Sequence, residues 1–556
     1  MQLPPGFRFR PGSRNPNLVR TWPSLGQLWT FLGVFLPALA ALLVPMPAVD
    51  LAYQLRAGGE ILDSGRIPAL DTWTFTVAGT PWLDQQWGAQ VLLTAVFGVL
   101  GWTGLALLRA FLVGLTFWLL LGAIRSAWSI ASVRAGGSAV ASSARTATLI
   151  TVGFFIVGAP ALALRPQLFA IVLFAATLHI LIERSQHPRR LWLIPVMAIA
   201  WANLHGSFPL VVVLVALAWL DEVALLRMPP PPGHAAPRLR RRLLGSTGLA
   251  IIAAFSALAT IVNPFGLDAW GYIANLARDP AITSAVSEWQ PPSPLDPVGF
   301  VFYVSLVALS GVAYFRFRTD GGRPSARFFG PLVSVVVFGL LGVVTGRGLA
   351  WWAIAAPVAM VQLQPGLKLA DLRFRGQAPL RARTAREASA SESRRSPLNM
   401  AVMIVLVFFS VALLPVLRPV GPAGVPVLTL SEAPQGIAHE LAKLVDARRL
   451  PRGGQVWAPQ TWGSFLEWAV PEVRVAVDSR IELFPPPVLA DADEISGAAT
   501  GWLSTLEVRH AQALVIRTGS DGDRQAADLE AGAWTKAYDD EDGSIWLRPS
   551  GAPAAP

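Results

Sequence analysis

Residues 28–48 read LWTFLGVFLPALAALLVPMPA, and residues 48–62 continue as AVDLAYQLRAGGEIL. The first stretch is long and apolar enough to cross a bilayer as a helix, since a spanning helix needs about 20 apolar residues. Asp50, the first acidic residue of the chain, stands directly after this run. A carboxylate at the mouth of a spanning helix is costly, so we interpret Asp50 either as the N-cap of the following helix or as a functional group.

The composition extends this interpretation to the whole chain. Of its 556 residues, 53% are hydrophobic and 14% are charged, whereas about 25% of the residues in soluble proteins are charged. The net charge is +10, but most of it lies in short loops between apolar runs. It therefore indicates membrane topology and not nucleic-acid binding. The absence of cysteine excludes disulfides and thiolate chemistry.

About eleven apolar runs predict an α-helical multi-pass membrane protein. Arginine-rich and arginine-poor loops alternate between these runs, as expected for a protein of an inner or plasma membrane. The basic residues before the first run predict that the N-terminus is on the cytoplasmic side. The first run lacks a small-residue cleavage site, so we predict a retained span and not a signal peptide. The runs lie near 27–47, 102–124, 146–163, 166–183, 191–204, 206–227, 245–262, 298–315, 328–345, 349–364 and 400–418.

The pattern also predicts how the chain is divided. GAQVLLTAVFGVL (88–100) is too short to span comfortably and is interpreted as an interfacial helix. Near the C-terminus, GQVWAP, VRVAVDS, ALVIR and SIWLRP indicate strands, whereas GIAHELAKLVDA and TWGSFLEWA indicate helices. The predicted parts are a cytoplasmic tail (1–26), a transmembrane domain (27–364) with outer loops 48–101 and 263–297, a basic cytoplasmic linker that contacts membrane lipids (365–399), a last span (400–418) and an extracytoplasmic α/β domain (419–556).

With this topology, the isolated ionisable residues fall on the outer side of the membrane. Arg165 and Arg347 lie in very short loops, where each either binds a phosphate or reaches lipid headgroups. His205 is interpreted as a turn residue or as a phosphate contact. Asp71 and Glu288 are interpreted as turn or loop-surface residues, or as functional acids. Asp478 and Arg480, by contrast, are predicted to form a local ion pair.

Several segments resemble bacterial integral-membrane glycosyltransferases of the GT-C superfamily, in particular a poorly characterised branch. The resemblance covers most of residues 28–480 and rests on a first span that ends in Asp and on the segments GRIPALDTWTFT (65–76), GTPWLDQQWGAQ (79–90), LRPQLFA (164–170), WANLHGSF (201–208), NPFGLDAW (263–270) and VAVDSRIELF (475–484). It implies a GT-C-like fold for the transmembrane domain.

The resemblance also implies an activity, the transfer of a sugar from a polyprenyl-phosphate donor to an acceptor glycan, lipid or protein at the outer face of the membrane. Asp50 would act as the general base, with Asp71 and Glu288 as further catalytic residues. Arg165, Arg347 and His205 would bind the donor phosphate. Mg²⁺ or Mn²⁺ is the only cofactor that the resemblance allows, and no metal site is predicted because Asp50 lacks a neighbouring acid. The alternative is a non-catalytic scaffold or carrier for lipid-linked cell-envelope intermediates.

Overall fold

The first apolar run begins as a helix at a sequence-encoded cap. In the computed structural model, the Ser24 hydroxyl accepts a hydrogen bond from the Gln27 backbone N–H (3.2 Å), and the Gln27 side chain accepts one from the Ser24 N–H (2.8 Å). This capping box satisfies two backbone donors that a helix start leaves free. The structure describes residues 22–134, 143–227, 239–319, 328–363, 392–532 and 534–549. The predicted tail up to residue 21 and the predicted linker up to residue 391 lie outside these ranges.

Each predicted apolar run within the described ranges forms helix. The helices of the bundle are α1 (Leu25–Leu43), α2 (Ala48–Ser64), α3 (Trp87–Arg134), α4 (Ala144–Gly158), α5 (Pro166–Ile182), α6 (Leu193–Leu204), α7 (Pro209–Arg227), α8 (Leu239–Ala259), α9 (Asp268–Leu276), α10 (Pro280–Ala285), α11 (Pro297–Thr319), α12 (Phe329–Val344), α13 (Gly348–Leu363) and α14 (Pro397–Ala412). Short 3₁₀ turns follow α4, α5, α10 and α14.

Five of the described helical segments are long and apolar enough to cross a membrane: Leu25–Leu43, Trp87–Ser132, Ala144–Leu162, Pro209–Arg227 and Pro297–Arg318. Five further apolar segments of 10–17 residues lie in α5, α8, α12, α13 and α14. A mainly helical fold with several helices able to span a membrane is thus confirmed, whereas the number of eleven spans stays a prediction.

Helix α3 contains the break predicted near residue 100. Gly101 has φ 58° and ψ −151°, so the helical hydrogen-bond pattern is interrupted between the segment that begins at Trp87 and the long helix that follows. Only glycine adopts such a backbone conformation readily. The segment before Gly101 is therefore a helix of its own, and its position at a membrane interface stays a prediction.

The C-terminal residues form the predicted small α/β domain. Its strands are β3 (Gly454–Trp457), β4 (Val473–Val475), β5 (Ala513–Arg517), β6 (Thr535–Asp539) and β7 (Gly543–Leu547), and its helices are α15 (Gln435–Asp446), α16 (Gln460–Ala469), α17 (Pro486–Ser496), α18 (Trp502–Val508) and α19 (Ser520–Ala531). The strand order is β4-β3-β5-β7-β6; β4, β3 and β5 are parallel, and β7 is antiparallel to both neighbours. Strand β6 was not predicted, because it is a largely exposed edge strand without apolar alternation.

The domain is built onto one end of the bundle, which we call the domain-facing end. A short strand β1 (Met46–Pro47), between α1 and α2, pairs in parallel with β2 (Leu430–Ser431). The loop before α3 extends the large sheet, since the Phe75 N–H donates to the Val475 carbonyl (3.1 Å) beside edge strand β4. Helix α16 packs on α2. The first long loop and the C-terminal domain therefore form one continuous structure.

The contact between α2 and α3 depends on one glycine, which yields a first prediction. A Cβ atom at Gly58 would lie 2.3 Å from the Gln90 carbonyl oxygen, whereas one at Gly59 would have nothing within 4 Å. We expect Gly58→Ala to destabilise the protein by about 1–3 kcal/mol through overpacking. The matched variant Gly59→Ala should be neutral or stabilising by up to about 1 kcal/mol, because alanine favours helix. Thermal unfolding of the purified proteins measures both, and equal midpoints would contradict this contact.

Candidate active site

A polar cavity of about 360 Å³ lies between the domain-facing end of the bundle and the C-terminal domain. Five of the six site residues predicted from the sequence line it, although they come from five separate parts of the chain: Asp50, Arg165, His205, Glu288 and Arg347. The C-terminal domain completes the wall with Gln460, Ser479, Ile481 and Glu482. The tips of three helix pairs and the start of α2 therefore meet at one place, as the alternating topology predicts.

Two arginines and two acids form the centre of this cavity. An Arg165 Nη donates to Asp50 Oδ2 at 3.0 Å, and its other Nη donates to Glu288 Oε1. Arg347 Nε donates to the second oxygen of Glu288 at 3.4 Å. Burial alone would raise the pKa of Glu288, but Arg165 and then Arg347 outweigh that effect and hold it below its ordinary value. Glu288 therefore fixes the positions of both guanidinium groups.

The sequence places both arginines at helix starts. Arg165 is the N-cap residue of α5, where Pro166 occupies the first turn, and Arg347 directly precedes α13. The positive end of a helix dipole lies at its N-terminus and favours anions there. Two helix N-termini and two guanidinium groups thus converge on the same end of the cavity, which we call the cationic end.

Arg347 is held so that its fork faces the cavity. Its backbone N–H donates to the Glu288 carbonyl (3.0 Å), and its guanidinium carbon lies 4.5 Å from the Trp289 ring centroid. Within the described residues, Nε is the only atom of the Arg347 guanidinium that hydrogen-bonds to another side chain. The Arg347 side chain is 37% exposed. Its terminal NH₂ groups therefore retain the bidentate geometry that suits a phosphate.

His205 lines the same cavity but is not a cation. Burial, together with the positive charges of Arg347 and Arg165, lowers its pKa to about 3. The Ser207 N–H donates to His205 Nδ1 at 3.1 Å, so the neutral ring carries its proton on Nε2. At neutral pH His205 is thus a hydrogen-bond donor, and the predicted phosphate contact would be a neutral one.

Asp71 does not join this site, which corrects its predicted catalytic role. Its carboxylate is 1% exposed and binds Arg480 Nη2 at 2.6 Å, together with the Thr74 hydroxyl at 2.6 Å. Arg480 also pairs with Asp478, as predicted. A buried carboxylate with these partners has no access to a substrate. The sequence does not reveal this, because Arg480 lies in another domain.

The capping interpretation of Asp50 is also wrong. The N-cap residue of α2 is Pro47, and Asp50 lies within the first turn, where its side chain binds Arg165. An acid there is favoured by the helix dipole, but its second oxygen, Oδ1, accepts no hydrogen bond from the described side chains. Asp50 therefore presents a free carboxylate oxygen at the cavity wall.

The same cavity contains residues that sequence reasoning missed. The Tyr272 hydroxyl donates to Glu482 Oε1 at 3.2 Å, and Tyr53 lies beside them, one helical turn after Asp50. The spacing of Asp50 and Tyr53 is a usable signal, since residues three apart share a helix face. No sequence signal marks Glu482, because it reaches the cavity only when the C-terminal domain packs on the bundle. The Ser479 hydroxyl, for example, donates to the carbonyl of Val49, 430 residues earlier (2.8 Å).

The residues of the cavity do not fit a divalent metal. Within the described ranges, no group of three or more His, Asp or Glu side chains could hold an ion. Asp50 and Glu288 instead share Arg165 between them. Mg²⁺ prefers several oxygen ligands in near-octahedral geometry, and a guanidinium between the two acids opposes that arrangement. No step is therefore assigned to a metal.

The fold and the cavity together define the class of this protein. It is a helical protein with several helices able to span a membrane, and it has a polar, arginine-containing cavity beside an α/β domain. No known family model matches the chain, and no curated protein matches it significantly.

Proposed function

We propose that this protein is an integral-membrane glycosyltransferase that transfers a sugar from a polyprenyl-phosphate donor to an acceptor at the extracytoplasmic face. The observation that carries the proposal is the juxtaposition of Asp50 with Arg165 and Arg347 in one cavity at the end of an apolar bundle. Sugar transfer from a lipid phosphate needs a base for the acceptor and cations for the departing phosphate. Both are present within a single ion-paired cluster.

Each group in the cluster has a part in the proposed step. Asp50 Oδ1 takes the proton of the acceptor hydroxyl as the acceptor oxygen forms a bond to the anomeric carbon of the sugar. The bond between that carbon and the phosphate oxygen breaks, and its electron pair stays with the phosphate. Arg347 and the N-termini of α5 and α13 stabilise that anion, while Arg165 links it to Asp50. Glu288 is a positioning residue that keeps both guanidinium groups in place.

The location of the cavity suits a lipid-linked donor. The bundle supplies apolar helices whose outer surfaces would contact lipid, so the prenyl chain remains in the membrane while its phosphate reaches the domain-facing end. The positive-inside bias of the loops supports the assignment of that end to the extracytoplasmic side of an inner or plasma membrane. A polar acceptor can then arrive from water.

Binding of polyprenyl phosphate to the purified protein tests the donor assignment. We expect Arg347→Gln to weaken binding about tenfold or more, since a charge-assisted hydrogen bond contributes about 1.5–3 kcal/mol. The matched control is Arg278→Gln, an exposed arginine on the loop after α9. Native mass spectrometry in lipid nanodiscs measures both affinities. Equal binding by wild type and Arg347→Gln would refute phosphate recognition by this residue.

The alternative is a non-catalytic scaffold or carrier for lipid-linked intermediates. One observation favours it: Asp50 and Glu288 already neutralise Arg165 and Arg347, so the cluster is stable without a ligand. A carrier would additionally need polar groups along the bundle. Arg109, a buried arginine in α3, instead donates to the Leu162 and Val44 carbonyls (3.0 and 2.7 Å) and is used structurally. A turnover measurement distinguishes the two functions.

A further inference from the structure

The cavity has a second wall whose chemistry differs from that of the cationic end. Its side chains are phenols, carboxamides, a hydroxyl and one carboxylate, and they come from α2, the loop before α3, α9 and the C-terminal domain. We call it the acceptor wall. Its members are Tyr53, Gln54, Gln85, Gln86, Tyr272, Gln460, Ser479 and Glu482.

Glu482 is held in this wall by its neighbours. It lies in the 3₁₀ turn Ile481–Leu483, which follows directly on the buried Arg480. Among the side-chain hydrogen bonds of the described residues, Glu482 has one, from the Tyr272 hydroxyl to Oε1 (3.2 Å). Tyr272 therefore holds one carboxylate oxygen in place, and the carboxylate retains lone pairs for a ligand in the cavity.

Two carboxamides of the wall have hydrogen-bonding capacity that the protein leaves unused. Gln54 is fully buried and Gln85 is 7% exposed, yet the side-chain oxygen of each has no partner among the described residues. The Gln54 nitrogen does donate to the Gln86 oxygen at 2.8 Å. A buried polar atom without a partner is costly. A hydroxyl-bearing ligand would supply the missing donors.

The wall disfavours charge. Burial raises the pKa of Asp84, just behind it, to about 7, and burial also raises the pKa of Glu482. Burial keeps Tyr53 and Tyr272 protonated, with pKa values well above the ordinary one. A wall that favours neutral side chains offers little to a cationic amine, but phenol O–H donors and amide or carboxylate acceptors match an array of alcohols.

We infer that the acceptor wall binds a neutral, hydroxyl-rich acceptor, that is, a carbohydrate, and that Glu482 of the C-terminal domain is its main specificity-determining residue. This inference rests on the proposed function, because it assigns the second substrate of the same cavity. It makes the α/β domain part of the binding site. Glu482 and the carboxamide oxygens accept hydrogen bonds from acceptor hydroxyls, and so does the Tyr272 oxygen, whose own proton is donated to Glu482. The Tyr53 hydroxyl donates to the acceptor.

Glycan binding by the full-length protein in nanodiscs tests the inference. The probes are arrayed neutral oligosaccharides and amine-bearing chitosan oligosaccharides, with polyprenyl phosphate measured separately. We expect binding of neutral oligosaccharides, reduced at least tenfold in Glu482→Gln and in Tyr272→Phe. The matched control, Glu507→Gln, changes an exposed acid of the same domain and should bind as wild type does. Polyprenyl phosphate should bind all four proteins equally, which also shows that the variants are folded.

The outcomes separate this inference from the proposed function. Preferential binding of chitosan oligosaccharides, or no glycan binding by a protein that still binds polyprenyl phosphate, overturns the assignment of a carbohydrate acceptor. Undiminished glycan binding by both Glu482→Gln and Tyr272→Phe overturns the assignment of the wall. Glycan binding that depends on Glu482, without any binding of polyprenyl phosphate, supports the wall and refutes the lipid-linked donor.

Discussion

Replacing Asp50 by Asn is expected to reduce sugar transfer by about 10²–10⁴-fold, the usual contribution of a positioned general base. Asparagine keeps the size of the side chain and an oxygen for the hydrogen bond from Arg165, but it cannot take a proton from an acceptor hydroxyl. The loss should appear in the catalytic rate, while the affinity for polyprenyl phosphate remains. The assay follows labelled sugar from a polyprenyl-phosphate donor into acceptors of the native membrane.

Asp63→Asn provides the matched control, because Asp63 is an exposed acid on the same helix. It should transfer sugar at the wild-type rate. Full activity of Asp50→Asn would exclude the base assignment. Should the wild type bind polyprenyl phosphate but transfer no sugar at all, the non-catalytic scaffold or carrier becomes the better account.

The second large effect concerns the buried ion cluster between the domains. Arg480 is 1% exposed, pairs with Asp71 and Asp478, and lies 4.2 and 4.6 Å from the ring centroids of Trp73 and Trp82. Arg480→Met would leave two carboxylates buried without a counter-charge. Such a loss costs about 3–5 kcal/mol, which corresponds to a fall of about 10–20 °C in the unfolding midpoint of a domain of this size.

A rescue experiment separates the lost charge from lost packing. The triple variant Arg480→Met, Asp71→Asn, Asp478→Asn removes all three charges and should recover most of the stability, since a neutral replacement of a buried ion cluster is well tolerated. Arg524→Met is the control, because its ion pair with Asp521 is exposed and contributes at most about 1 kcal/mol. A wild-type midpoint for Arg480→Met alone would show that the cluster does not hold the domain in place.

Much of the fold could be predicted because its signals are local. Apolar runs form helices wherever the structure describes them, and strands β3, β4, β5 and β7 coincide with the alternating segments that indicate them. Strand β6 was not predicted because an exposed edge strand carries no apolar pattern. The number of spans stays a prediction, since several apolar helices are shorter than a bilayer requires.

The residues of the cationic end were also accessible from the sequence. Arg165 and Arg347 stand out because a cation in a very short loop opposes the charge bias of the neighbouring loops. Loop charge does not reveal the different roles of Asp71 and Glu482. Both are acids in polar segments, and only the docking of the C-terminal domain buries Asp71 against Arg480 and brings Glu482 to the cavity.

The sequence by itself determined a helical bundle with apolar spans, a separate α/β domain and a set of isolated polar residues at one end, because hydropathy and loop charge act over short stretches of chain. Only the tertiary structure decided which of these residues form a site. Asp50 pairs with Arg165 and not with the start of its own helix, and Asp71 stabilises an interface and not a reaction. The reason is physical: the partner of a buried charge is chosen by proximity in the folded chain, and here those partners come from distant elements.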